Sequence, residues 1–338
     1  MLLRVCFVCL ALSVVASSLQ LEFLDLRHFR AQDLRALLDE ESALWRERLH
    51  WDYRGSASLL LQYVDSHLLI GYVAVDQGKV CGYTFCVQEQ AKAIVGDVFA
   101  TRAQATLPTA GVEKKLLDHL LETLRATPGI ERIEAQFLLH PHGQHHASFA
   151  QAGFDLYKRL YLVSSLEHRT QEPARERLLF EGTLLLRRWQ DSDFDAAAHN
   201  ITAAYAGNID STINDQYCSV AGASRFLHNI VRFPGCGQFA ADASWVVLDE
   251  KTGTLQALLL ASRISEEAGH ITQVCVAPHL RQRGLGRLLL EAGAQSLRAL
   301  GCTLATLTAT ENNEAAIRLY TDMGYRTLHT FDAMLWRQ

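Results

Sequence analysis

Short apolar runs with β-type residues alternate along the chain with longer segments whose apolar positions recur at helical spacing. Leu21 to Leu26 predicts a strand, and Gln32 to Leu38 the opening of a helix with Asp33 in its first turn. Gly71 to Asp76 and Lys79 to Val87 are β-rich runs on either side of Gln77-Gly78, a hairpin signal. Lys92 to Ala100 is a third run. Val112, Leu116, Leu117, Leu120, Leu121 and Leu124 then share one helical face. A strand at Ile133 to Leu139, a short helix at Ala147 to Ala152 and a strand at Leu156 to Val163 complete this pass.

Between Ser164 and Glu181 the chain turns charged and carries Pro173, which marks a linker. The order of elements then repeats. Thr183 to Arg188 predicts a strand, Asp191 to Tyr205 a helix capped by Asp191 or Ser192, and Val220 to Val231 a second helix. Trp245 to Asp249 and Leu255 to Ser262 flank the turn Lys251-Thr252-Gly253. His270 to Val276 is a strand, Leu285 to Leu300 a helix, Leu304 to Thr308 a strand and Glu314 to Met323 a helix, with closing strands from Tyr325 to Trp336. One α/β unit used twice is the simplest reading, although the halves share little sequence. The expected divisions are an apolar head at 1–20, a first repeat at 21–166, a linker at 167–180 and a second repeat at 181–338.

Composition narrows the function classes. A chain of 338 residues that is 49% hydrophobic and 20% charged has material for two cores of ordinary size and is not a disordered tail. Its 32 Lys and Arg against 37 Asp and Glu give a net charge of −5, without the basic excess that drives nucleic-acid binding. The eight cysteines are too sparse for a disulfide scaffold, and Cys6 and Cys9, though spaced CxxC, lie in an apolar run without other ligands nearby. Arg4, the apolar run from Val5 to Ala16 and the small residues Ala16-Ser17-Ser18 have the layout of a secretory signal. That run is too short for a span, which takes about 20 apolar residues, and no stable membrane span is expected elsewhere.

The segment Val276-Ala277-Pro278-His279-Leu280-Arg281-Gln282-Arg283-Gly284-Leu285-Gly286-Arg287-Leu288 carries the strongest chemical signal. A strand ends, a loop follows, and two glycines open a long helix. Glycine lets backbone approach a ligand closely, and the first-turn N–H groups of a helix lack intrahelical partners and favour an anion. Arg281, Arg283 and Arg287 add positive charge, so a diphosphate suits the site. Position 289 is Leu, so the Rossmann G-x-G-x-x-G is absent, as is the Gly-Lys-Ser/Thr of a Walker A loop.

Pro-x-x-Arg-x-x-Gly-x-Gly-x-x-Leu after a strand resembles the acyl-CoA pyrophosphate loop of the GCN5-related N-acetyltransferase (GNAT) family. Downstream, the run from Asn313 to Tyr325 resembles that family's Asn-x-x-Ala-x-x-x-Tyr-x-x-x-Gly-aromatic signature. The resemblance covers the second half throughout and the first half only in element order. It implies an α/β (α+β) fold of two tandem acyl-CoA N-acyltransferase units, each a mixed twisted sheet flanked by helices. It further implies transfer of an acetyl group from acetyl-CoA to a primary amine of a small molecule or protein, by a monomer or homodimer. The backbone N–H groups of Arg281, Gln282, Arg283, Gly284, Leu285, Gly286 and Arg287 would hold the pyrophosphate. Val274 and Val276 would pair with the pantetheine arm, Asn313 would help position the cofactor, and Tyr320 would protonate the departing thiolate. A metal is not part of this expectation. A CoA-binding pseudoenzyme is the rival reading.

The general base stays open among His270, Glu311, Asp210, Asp215, Tyr217 and a water chain. In the first half the position of Tyr320 falls on Phe149 and that of Asn313 on His142, while Thr101 to Gly111 has one glycine and no arginine cluster. This half therefore reads as a degenerate repeat that supports the second and closes over its acceptor site. His140, His142, His145 and His146 read as a surface cluster without an evident carboxylate partner. Because acyl-CoA is a cytosolic metabolite, the resemblance implies a cytoplasmic protein whose apolar head is an appendage or start-site artefact, with membrane tethering or export as alternatives.

Overall fold

The computed structural model describes residues 21–102, 108–167, 178–180, 183–232 and 236–338. The apolar head with Cys6 and Cys9, most of the expected linker with Pro173, and the stretch 103–107 lie outside the described residues. The first pass comprises β1 (Glu22–Asp25), α1 (Ala31–Leu49), α2 (Arg54–Asp65), β2 (Ile70–Asp76), β3 (Lys79–Glu89), β4 (Lys92–Ala100), α3 (Thr109–Ala126), β5 (Arg132–Gln136), α4 (His146–Gln151) and β6 (Asp155–Ser165). A short strand, β7 (Leu178–Phe180), falls inside the segment read as linker and pairs with β8 (Leu184–Arg188). Next come α5 (Phe194–Tyr205), α6 (Ile209–Ile213), α7 (Val220–Arg232), β9 (Gln238–Phe239), β10 (Trp245–Asp249), β11 (Leu255–Arg263) and β12 (Ala268–Val276). The chain ends with α8 (Leu285–Ala299), β13 (Leu304–Thr310), α9 (Glu314–Asp322) and β14 (Arg326–Arg337).

Local chemistry explains several of these elements. Gln77 and Gly78 both take positive φ, 52° and 75°, between the paired residues Asp76 and Lys79, as a two-residue turn matching strand twist requires. Asp191 to Asp193 forms a 3-10 turn instead of opening the helix, because Gln190 and Asp193 make a reciprocal capping box; α5 begins only at Phe194. The single strand β14 replaces the separate closing strands expected from the sequence.

All strands join one mixed sheet in the order β1-β2-β3-β4-β5-β14-β6-β13-β12-β11-β10-β8-β7, with β9 beside β11. The parallel pairs are β4 with β5 and β12 with β13. The centre of this order is an exchange. β14 lies between β5 and β6, and β6 lies between β14 and β13. Each half's last strand therefore fills a slot beside the other half's next-to-last strand.

Helices cover both faces. α3 packs over β2 to β4 through Val112, Leu116, Leu117 and Leu120, with α1 and α2 on the opposite face. In the second half α8 covers β10 to β13, opposite α5 and α7. The exchange merges the cores: Leu160 and Leu162 of β6 join the cluster under α8, while Phe331 of β14 joins the cluster under α1. Burying such a side chain fully contributes about 1.5–3 kcal/mol. The hydroxyl of Tyr161 donates to Leu49 O at 2.9 Å, fixing β6 to the end of α1.

Candidate active site

β12 pairs with β13 only from Ala268 to Ile271, then diverges while staying registered with β11 as far as Val276. The strands thus splay at Thr272, and a cavity of about 620 Å³ opens between them. Val274 and Val276 line it from β12, Thr308 and Ala309 from β13, and Asn313 and Tyr320 from the start and body of α9. Arg281, Gln282, Gly284, Leu285, Gly286 and Arg287 form its loop end. Of the expected loop residues, Arg283 is exposed and outside the lining.

The loop has the backbone of a cradle. Gln282 and Gly284 take φ of 62° and 82°, and Gly284 is the N-cap of α8, so the free first-turn N–H groups of that helix face the ligand end. A Cβ at Gly286 would lie 3.2 Å from Leu319 Cδ2, which ties the second glycine to close packing of α8 on α9. Arg281 is partly committed elsewhere, since its guanidinium donates to Ala204 O at the end of α5. Arg287 lies 4.0 Å from Asp322.

At the opposite end, Asp210 is the one carboxylate among the described lining residues. Its Oδ1 accepts from Thr310 Oγ1 at 2.5 Å and its Oδ2 from Asn313 Nδ2 at 3.2 Å. Asn313 thus does two jobs, because its Oδ1 also caps α9 through Ala316 N. Tyr205 and Tyr217 stack beside it, with centroids 4.3 Å apart. Tyr320 is buried, and burial raises its hydroxyl well above the ordinary tyrosine range, helped by the nearby Asp210 charge. The phenol therefore stays protonated at neutral pH. Cys275 also reaches the wall, but burial pushes its thiol up to about 12, which leaves it a poor nucleophile.

The candidates for general base separate by position. Asp210 and Tyr217 line the cavity; His270, Asp215 and Glu311 do not. His270 is buried between Trp51 and Tyr161, with Nδ1 2.8 Å from Thr306 Oγ1, and burial lowers it to about 3. Glu311 pairs with Lys158 at the surface.

The first half supplies residues the sequence did not nominate. Arg159 of β6 reaches the cavity, with NH1 2.7 Å from Gln136 Oε1 and NH2 4.0 Å from Asp210 Oδ1. The guanidinium of Arg132 donates to Thr212 O and Ile213 O, and Lys92 bonds Asp215, so β4 and β5 hold the segment from Asp210 to Tyr217. Alternation within β6 was the available signal for Arg159, yet only the strand exchange brings it to this site.

The first half's own splay is filled. β4 parts from β5 after Val95, as β12 parts from β13 after Ile271, so Val98 stands where Val274 stands in the second half. His140 Nε2 sits 2.8 Å from Val98 O and closes that edge. Phe149 is fully buried against Phe154, in the arrangement that Tyr320 and Tyr325 adopt in the second half. The histidines do have carboxylate partners, which the fold brings from afar: His140 and His145 lie with Glu113, and His142 and His146 with Asp332 of β14. Both groups have ligand atoms close enough to hold a metal ion. Existing hydrogen bonds already engage much of each, such as Gln144 Nε2 to Glu113 and His142 Nδ1 with Asp332.

Residues 221–325 match the family model described as the Acetyltransferase (GNAT) family. Among solved structures, the GCN5-related N-acetyltransferase from Sphaerobacter thermophilus superposes with a TM-score of 0.59 at 15% identity, covering 93% of this chain and 95% of that one. A tandem GNAT protein from the clavulanic acid biosynthesis pathway, solved without AcCoA, gives 0.58 at 15% identity over 94% of this chain and 98% of its own. A mycothiol acetyltransferase of Corynebacterium jeikeium (strain K411) is 34% identical over 65 residues, which is 19% of this chain and 19% of that relative. The match to the GNAT acetyltransferase family lies within the second half, at residues 221–325. The fold of the chain is that of two GNAT units in tandem.

Proposed function

We propose that the protein moves an acetyl group from acetyl-CoA to a primary amine by direct attack, at the cavity of the second half. The observation that carries this reading is the convergence, on one 620 Å³ cavity, of the splayed β12 edge, the glycine-opened N-terminus of α8 and the protonated phenol of Tyr320. Mycothiol acetyltransferase, named for acetyl transfer, is among the similar proteins.

The residues present suit the co-substrate. The first-turn N–H groups of α8 with Gly284 and Gly286 would hold its pyrophosphate, and the free edge of Val274 and Val276 its pantetheine arm. When bound, acetyl-CoA supplies an activated acyl group and a thiol leaving group. Asp210 would orient the amine and take its proton, and Tyr320 would deliver a proton at the sulfur. No enzyme nucleophile is needed, in keeping with the protonated Cys275 thiol.

The first half, 21–166, serves in this reading as a repeat without a cofactor site of its own. It is joined through 167–180 to the working half, 181–338, and supports the acceptor wall through Lys92, Arg132 and Arg159. No helix among the described residues is long and apolar enough to cross a membrane. A cytoplasmic location follows from the cytosolic donor.

Free CoA released from acetyl-CoA in the presence of a panel of amines tests the reading. Amine-dependent release that Tyr320→Phe depresses, and that substitution of both Gly284 and Gly286 abolishes, is the expected result. Tight acetyl-CoA binding with no turnover on any amine would instead identify a CoA-binding pseudoenzyme.

A further inference from the structure

The acceptor end of the cavity has an unusual charge layout. Asp210 is the only carboxylate among the described lining residues, and Arg159 stands beside it, NH2 to Oδ1 at 4.0 Å. The other lining guanidiniums belong to the loop end, where Arg281 is held by Ala204 O and Arg287 lies near Asp322. Arg159 is thus the cation of the acceptor end, and it comes from the first half through the exchanged strand β6.

Its surroundings do not use it fully. NH1 meets Gln136 Oε1, NH2 lies 3.5 Å from Thr308 Oγ1, and the guanidinium sits over the Phe331 ring at 5.8 Å. The Nε atom is buried without a hydrogen-bond partner. Guanidinium also presents several donors in a planar fork suited to a carboxylate. Asp210, by contrast, has both oxygens anchored by Thr310 and Asn313, so it is fixed in place to face a cationic or hydrogen-donating group.

We infer that the acceptor is an α-amino acid or a compound with the same head, an amine one carbon from a carboxylate, with the carboxylate on Arg159 and the amine on Asp210. The 4.0 Å between the two protein groups suits an amine and a carboxylate held close together on the ligand and not an amine far from its anion, and the Arg159 cation repels a diamine's second ammonium. The chemistry balances as ordinary amide formation. The amine nitrogen bonds the acetyl carbon as the carbon–sulfur bond breaks, an amine proton passes to Asp210, and a proton reaches the sulfur from Tyr320. Arg159 itself is a specificity residue that leaves bond-making to the others.

This inference rests on the proposed acetyl transfer, and the test separates the two. Acceptor kinetics with full-length protein would compare amino acids with their carboxamides and with the decarboxylated amines. The expected result is a kcat/KM at least about tenfold higher for the acids. Arg159→Gln should erase that preference by raising KM for the acids more than for the neutral amines, and Arg159→Lys should restore part of it. Acetyl-CoA titration of each variant checks that the fold is intact. Equal use of acids and neutral amines, or a preference that survives in Arg159→Gln, overturns the inference alone. No turnover of any amine overturns both it and the proposed function.

Discussion

Lys92 holds its ammonium 2.6 Å from Asp215 Oδ1, so a strand of the first half grips the segment that walls the second half's cavity. The lysine is 8% exposed and lies 3.7 Å from Glu134, which Arg132 also engages. Breaking a buried pair by removing one partner costs about 3–5 kcal/mol; here Arg132 still neutralises Glu134 and Asp215 is partly solvated, so about 2 kcal/mol is expected. Lys92→Met should therefore lower the unfolding free energy by that amount, read from the shift of the denaturant midpoint. Acceptor KM should rise while acetyl-CoA affinity holds, because Asp210 and Tyr217 sit on the loosened segment and the loop of α8 does not.

Tyr320→Phe should lower kcat by about 100-fold, the lower end of what a positioned acid contributes, with little change in acetyl-CoA binding. Burial holds the wild-type phenol protonated beyond the ordinary tyrosine range. The alkaline fall in kcat that reports its ionisation should therefore lie above pH 10, which a pH–rate profile checks.

Gly284 has a φ of 82°, where an L side chain is strained by about 1–2 kcal/mol. Gly284→Ala should destabilise the protein by that order and weaken acetyl-CoA binding further by shifting the first turn of α8. Gly301, also at positive φ with open space around it, is the control: its alanine variant should show the strain without the binding loss.

Acid should destabilise the fold through its buried neutral imidazoles. Burial lowers His270 to about 3 and His145 to about 2. Below the unfolded value near 6.5 the unfolded chain takes up protons that these groups refuse when folded. Their contribution is thus complete above about pH 6.5 and falls between pH 6.5 and 3, by about 1.4 kcal/mol per pH unit for each group. His270→Phe retains the ring between Trp51 and Tyr161 and should flatten the slope of stability against pH in that window.

Much of this architecture was legible in the residue pattern. The Gln77-Gly78 hairpin, the leucine face of α3 and the glycine-opened α8 follow local rules of turn chemistry and periodicity, and the cavity forms around the second half's two signatures. What depends on distant chain was hidden. α2 carries Gly55, Ser56 and Ser58 near its start and is stabilised by burying Ala57, Leu60, Leu61 and Val64 on α1. The exchange of β6 and β14 leaves no local mark, because either strand's alternation suits its own half as well as the other. Neither Arg159 nor the carboxylates that Glu113 and Asp332 bring to the histidines can be nominated from local sequence, for the same reason.

The claim of one working cofactor site, in the second half, is tested most directly by calorimetric titration of acetyl-CoA into the full-length protein. The account predicts one equivalent bound per chain, lost when Gly284 and Gly286 are both replaced by valine. Two equivalents, or one that persists in that variant, would contradict it.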